Sequence, residues 1–157
     1  MVWGGLKLAK RLLILGPSFR RNKNERVLRA LDRYDGVFFR VARKHLGKVK
    51  DINVIVMNDD LTLIGGNAFR PYIPPVGDTW RKQTFPKEKL KEAKKRNEKF
   101  LSKRLKGRYS EVFIAMSKKH AEALPELVKV VFPTHGGLGP KARALREWII
   151  KAVCNEC

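Results

Sequence analysis

Two adjacent carboxylates, Asp59 and Asp60, close an apolar run and precede Leu61-Thr62-Leu63-Ile64. Such a pair at a strand end can ligate a divalent cation such as Mg2+ or act as a base, and it can equally form or cap the turn that follows. A second group lies near the end of the chain, where His135 opens the glycine-rich stretch Gly136-Gly137-Leu138-Gly139-Pro140-Lys141-Ala142-Arg143. An apolar run over 128–132 and a helical pattern after 140 read as strand, tight loop and helix start, with Pro140 at the first helical position. The loop then turns backbone N–H groups toward one point. With the helix dipole, Lys141 and Arg143, it favours an anion, above all a phosphate. The plainer role of these glycines is to let strand and helix pack closely. A third group, Cys154 and Cys157, has the C-x-x-C spacing of half a zinc knuckle or a redox pair, but without a second pair it reads as two incidental thiols and no metal site is expected. The sequence contains no P-loop lysine motif, no H-E-x-x-H pair and no G-x-S-x-G elbow.

The elements that must position these residues follow from hydrophobic patterning. Short apolar runs at 11–15, 52–57, 111–116 and 128–132 read as strands covered on both faces. Asp35 offers an N-cap for a helix bearing Val37, Phe38, Val41, Ala42, His45 and Leu46, closed by Gly47. Residues 61–64 form a short extra strand or turn. Prolines at 71, 74 and 75 exclude a central strand over 69–80, which reads as an ordered loop with aromatic contacts. Pro86 starts the longest helix, reaching about residue 105, and Ser117 caps a short helix running to Pro125. Strands alternating with helices predict an α/β fold: a single three-layer domain over 1–157 with a mainly parallel four-stranded core sheet and right-handed crossovers. In such sheets ligands sit beyond the carboxyl ends of the strands. That geometry predicts a crevice ringed by Ser18, Asn58, Asp59, Ser117, His135 and Gly136, with the 137–141 loop supplying N–H groups and Tyr72 or Trp80 a stacking face.

Charge decides the class of partner. The chain of 157 residues carries 35 Lys+Arg against 15 Asp+Glu, a net charge of +20 that repels itself unless a polyanion is bound. Between Pro86 and Lys106 there are ten Lys/Arg and three Glu, a net of +7 that includes Lys94, Lys95 and Arg96. A rod of positive charge on a basic protein reads as a surface for phosphate backbones, joined by Arg20, Arg21, Lys141 and Arg143. No apolar run approaches the ~20 residues that span a bilayer, and no secretory signal is evident at the start, so no membrane partner and an intracellular, cytoplasmic location are expected.

Several stretches together carry a resemblance. They are Leu-Ile-Leu-Gly-Pro-Ser with the following Arg-Arg-Asn at 13–22, Arg33-Tyr34-Asp35-Gly36 before a helix, Asp59-Asp60-Leu61-Thr62-Leu63-Ile64 after a strand, the Pro-rich 71–77 loop, and the final Gly-Leu-Gly-Pro-Lys-Ala-Arg. Over nearly the whole chain they resemble an uncharacterised archaeal and phage domain family, similar to the domain accompanying tRNA-guanine transglycosylase relatives and archaeosine synthase and remotely similar to the YaaA family. The resemblance implies a role near tRNA base modification. Those relatives tend to have a Cys-Ser pair and a lysine after the first strand, where this chain has Pro17-Ser18 and Arg20 or Arg21. They tend to have Ser-x-Lys-Tyr-Gly-Leu after the second, where this chain has Asn58 to Leu63. Any chemistry that rests on that cysteine and lysine is therefore not carried over.

Three functions fit the sequence. The first is a nucleic-acid-binding protein, RNA ahead of DNA, related to tRNA base modification, requiring no cofactor and partnered by a tRNA-modifying enzyme or the ribosome. The second is a DNA-processing enzyme, either a nuclease using Asp59, Asp60 and Asp78 with Mg2+, or a glycosylase-like enzyme with His135 beside a flipped base. The third is a ribosome-associated structural protein. Sequence leaves open whether the chain is an enzyme.

Overall fold

The computed structural model describes residues 10–75, 84–105, 109–127, 129–133 and 136–155. The chain runs β1 (Lys10–Leu15), β2 (Leu28–Arg29), α1 (Ala30–Arg33), α2 (Val37–His45), a 3-10 turn (Leu46–Lys48), β3 (Ile52–Met57), β4 (Leu63–Gly65), β5 (Phe69–Arg70), α3 (Lys87–Leu105), β6 (Tyr109–Ala115), α4 (Lys118–Ala121), β7 (Val130–Val131) and α5 (Leu138–Asn155). Arg11 to Leu15 are all buried because β1 is central: it pairs in parallel with β3 on one side and with β6 on the other. Alternate residues then face opposite layers, as strand geometry requires. Leu13, Leu15, Val56 and Phe113 pack with Phe39 and Ala42 of α2 and Leu145 and Ile149 of α5. Leu12, Ile14, Ile55 and Ile114 pack with Ala93 and Leu101 of α3 and Ala123 and Leu124 beyond α4.

The sheet order is β4-β3-β1-β6-β7, and this corrects the expected four-stranded parallel core. The expected strands are present and parallel, although β7 is only two residues long, but a fifth strand, β4, runs antiparallel to β3. Its direction follows from the length of the connection. Asn58 N–H donates to Thr62 O at 2.8 Å and Leu61 N–H to Asn58 O at 2.9 Å, with Leu61 at φ 69°. So tight a turn can only send the chain back alongside β3, since a parallel return needs a crossover of about a dozen residues. β2 and β5 form a separate antiparallel ribbon inside what reads from sequence as loop.

Helix starts also differ from expectation. Gly36, not Asp35, is the N-cap of α2, and Ser18 Oγ accepts the N–H groups of Asp35 (3.2 Å) and Gly36 (3.1 Å). Ser117 does cap α4, accepting from His120 N–H, but that helix ends at Ala121 rather than Pro125. α5 begins at Leu138, so Pro140 is its third residue, still within the first turn where its missing N–H costs no intrahelical bond. The expected roles of Asp78, Trp80, His135 and Cys157 fall outside the described residues.

β1 and β6 approach so closely at their ends that Gly16 cannot be replaced freely. A Cβ there would lie 2.4 Å from Met116 Cβ, whereas one at Gly47 would meet nothing within 4 Å. Gly16→Ala is expected to cost about 1–3 kcal/mol in urea denaturation by forcing the strand ends apart, while Gly47→Ala leaves the midpoint unchanged or slightly raised.

Candidate anion-binding crevice

After β1 the chain turns toward the face covered by α2, and after β6 it turns toward the face carrying α4. Adjacent parallel strands whose connections leave on opposite faces open a crevice between their carboxyl ends. Here it measures about 360 Å3. Pro17 to Arg20 form one wall, the first turn of α2 another, Met116, Ser117 and His120 a third, and Leu138 and Lys141 of α5 the fourth. Two helix N-termini thus open onto one space, and both favour negative charge there.

Of the arginines paired with Asp35, Arg20 lines the crevice, whereas Arg43 lines a separate cavity with Leu31 and Ala42. The Asp35 carboxylate takes Arg43 at 2.5 Å and Arg40 at 3.0 Å, with Arg20 at 3.7 Å. The hydrogen bond from Arg40 chiefly holds this carboxyl below its ordinary range. One negative charge shared by three guanidinium groups leaves Arg20, the most distant of them, largely uncompensated. Lys141, half-buried in the opposite wall, has no ion pair among the described residues.

Ser117 and His120 form the inner polar pair. The Ser117 hydroxyl lies 2.6 Å from His120 Nδ1 and accepts the backbone N–H of His120 at 3.3 Å. Burial, opposed by the nearby Asp59 charge, pushes the imidazole down to about 4. The neutral ring and the Ser117 hydroxyl share one hydrogen bond, whose direction follows the ring tautomer.

Of the residues singled out by sequence, Ser18, Arg20, Ser117 and Lys141 line the crevice. Asn58, Asp59 and Asp60 do not, and each is engaged elsewhere. Asn58 is 1% exposed, accepts from Tyr34 Oη at 3.0 Å and donates to Thr62 Oγ1 at 3.2 Å. Asp60 accepts from Thr62 N–H at 3.1 Å and from its hydroxyl at 2.5 Å, the turn-forming role. Asp59 neutralises Arg21 at 2.5 Å. Arg21 is the clearest correction: its side chain is 3% exposed, donates to Ser18 O and Ile73 O, and lies over the Tyr34 ring, so it has no face for a phosphate. The two carboxylates are a poor set for Mg2+, because one faces a guanidinium and the other its own turn. Among the described residues no three His, Cys, Asp or Glu gather as a metal-ligand set.

Tyr72 lies beneath the Arg33 guanidinium, 5.9 Å from its ring centroid, and does not line the crevice. Gly136 takes φ 83°, while Gly137 and Gly139 stand beside open space at the start of α5. Arg143 is exposed on α5, and Lys94, Lys95 and Arg96 are exposed on α3 across the sheet. His120 escaped the sequence reading, although Ser117-x-x-His120 carried the signal: a capping serine reaches the residue three positions on. Phe19, Phe38 and Met116 also line the crevice, with no chemical signature to mark them.

Comparison with protein-family models, with curated proteins and with solved structures finds no match to this chain.

Two outcomes test these assignments. Asp59→Asn is expected to cost about 3 kcal/mol of stability by leaving the buried Arg21 charge uncompensated, whereas Asp60→Asn costs under about 1 kcal/mol; thermal or urea melts of both variants decide. His120 binds its proton near pH 6.5 when unfolded and near pH 4 when folded, so the unfolded state gains protons first as pH falls. Stability should drop between these values by about 3 kcal/mol, and His120→Gln should flatten that part of the profile. Burial lowers His45 in the same direction, so a shallower slope persists in the variant.

Proposed function

We propose that this protein binds RNA through phosphate contacts, in a role tied to tRNA base modification, and that the β1–β6 crevice receives one phosphate or nucleotide of that RNA. The observation that carries the reading is the convergence of Arg20, Lys141 and the first turns of α2 and α5 on one crevice of a chain with net charge +20. A phosphate fits this surrounding because helix-terminal N–H groups are already oriented toward it and Arg20 and Lys141 can reach it with charge to spare. The crevice is otherwise apolar, with Phe19, Phe38, Met116 and Leu138 suited to the flat face of a base. The basic face of α3 offers Lys94, Lys95 and Arg96 to neighbouring phosphates. The tRNA side of the proposal rests on the resemblance described above. A cytoplasmic location and association with a tRNA-modifying enzyme or ribosome belong to the same proposal.

Salt-dependent binding of tRNA is the test. Log K should fall linearly with log salt, and Arg20→Ala and Lys141→Ala should each lower the slope by about 0.7 to 0.9. Gly137→Val and Gly139→Val fill space that no protein atom occupies, so a loss of affinity at unchanged melting temperature reads as a blocked ligand. Equal affinity for heparin and tRNA, with normal binding by these variants, would reduce the interaction to bulk charge.

A further inference from the structure

The β2–β5 ribbon presents a face that the crevice does not use. Arg29 and Phe69 are directly opposed in the antiparallel register, and Leu28 opposes Arg70. Alternation puts Val27, Arg29, Phe69 and Pro71 on one side. That side is open: Phe69 is 73% exposed and Val27 57%, with Arg29 and Pro71 also exposed, while Leu28 and Arg70 are half-covered.

A two-residue ribbon is too short to hold an aromatic ring in place by its own pairing. Here its backbone is clamped from beneath. Arg33, 1% exposed, donates to Arg70 O at 3.1 Å and to Asn22 O and Asn24 O at 2.7 and 2.8 Å, and also to Arg26 O. Ala30 N–H donates to Ala68 O at 2.9 Å. Phe69 therefore lies between two anchored carbonyls. Arg29 is held beside it by Asp32 at 2.7 Å and Asn67 at 3.1 Å. The 22–26 loop, fixed by the same guanidinium, adds exposed Lys23 and Arg26 with exposed Glu25 between them, so that beside the Arg29–Asp32 ion pair the face keeps a small positive surplus.

We infer that this ribbon face is a stacking platform for an unpaired base of single-stranded RNA, with Phe69 under the base and Arg26 and Lys23 beside its phosphates. The inference rests on the RNA-binding reading and adds that the bound strand is single at this point. An exposed ring on a fixed backbone loses little freedom when a base covers it, and stacking of this kind is sequence-tolerant. The surrounding cations match a polyanion. A protein partner fits less well, because a specific interface covers about 800 Å2 per side and Val27, Phe69 and Pro71 supply only a small apolar island.

Fluorescence anisotropy with a short oligouridylate and with a duplex RNA of equal length tests this on the full chain. Phe69→Ala should weaken oligouridylate binding about tenfold and leave the duplex unaffected, and Phe69→Trp should restore it. The side chain is exposed, so the variants should melt like the parent, and photocrosslinking should map to the peptide containing Phe69. Parent protein that binds both RNAs, with Phe69→Ala indistinguishable from it, overturns the platform and leaves the crevice reading standing. A change in oligomeric state with RNA affinity unchanged also overturns it, by assigning the face to a second copy. Failure of the parent to bind either RNA overturns both readings.

Discussion

A guanidinium group can be buried only where its fixed fork of donors finds acceptors, and the architecture depends on meeting that demand three times. Arg11 joins Asp51 at 2.9 Å to the carbonyls of Trp148 and Ile149 and stacks on the Trp148 ring, tying α5 to the start of β1 and β3. Arg21 joins the chain after β1 to Asp59 after β3 and to Ile73. Arg33 donates to backbone carbonyls and gathers the 22–26 loop and β5. Each replaces hydration with several charge-assisted hydrogen bonds, without which burial would be prohibitive. These cations hold connections that the apolar core does not reach, and they are not available to a ligand.

The crevice arises from a different constraint, the central position of β1. Because its two parallel neighbours are reached by connections on opposite faces, the ends of β1 and β6 cannot both be covered. Gly16 lets those ends close to van der Waals contact, and Gly36 does the same for the start of α2, where a Cβ would lie 2.6 Å from Ser18 Cβ. Ser18 then satisfies N–H groups ahead of α2 with its own hydroxyl. What faces the crevice is therefore the first turn of a helix, with Arg20 beside it and only partly neutralised by Asp35.

Sequence made the main strands and the longest helix legible for clear reasons. β1, β3 and β6 are apolar runs that suit a strand covered on both faces, and Pro86 with the charged pattern after it marks α3. The sequence of β4 fits a strand or a turn equally, because its direction depends on the Asn58–Thr62 turn rather than on composition. β2 and β5 were invisible: two residues each, held by an arginine whose partners lie up to 37 positions away. The same distance problem hid the Arg21–Asp59 pair, so both residues read as free to act when each occupies the other. Asn97 shows the limit from another side. It sits in the apolar stripe of α3, 1% exposed, donating to Leu61 O and Ala123 O, and its polarity serves as a latch between the helix, the β3–β4 turn and the end of α4.

The surplus of surface charge links stability to function. Arg11 and Arg21 are neutralised by Asp51 and Asp59 where they stand, so the net positive charge of the molecule is expressed mainly by exposed lysines and arginines, densest along α3. At physiological ionic strength, charges beyond about 8 Å are screened, and repulsion is concentrated among neighbours on one helix face or at one mouth. Asp35 offsets part of that repulsion: one carboxylate just ahead of α2 pairs with Arg40 and Arg43 of the helix and lies 3.7 Å from Arg20. A bound polyanion completes the same compensation from outside, and whatever binds only the folded chain adds its binding free energy to folding. On the proposed reading, affinity for RNA and tolerance of so high a charge would be two expressions of one electrostatic arrangement, in which exposed cations left without a carboxylate partner are matched by the ligand.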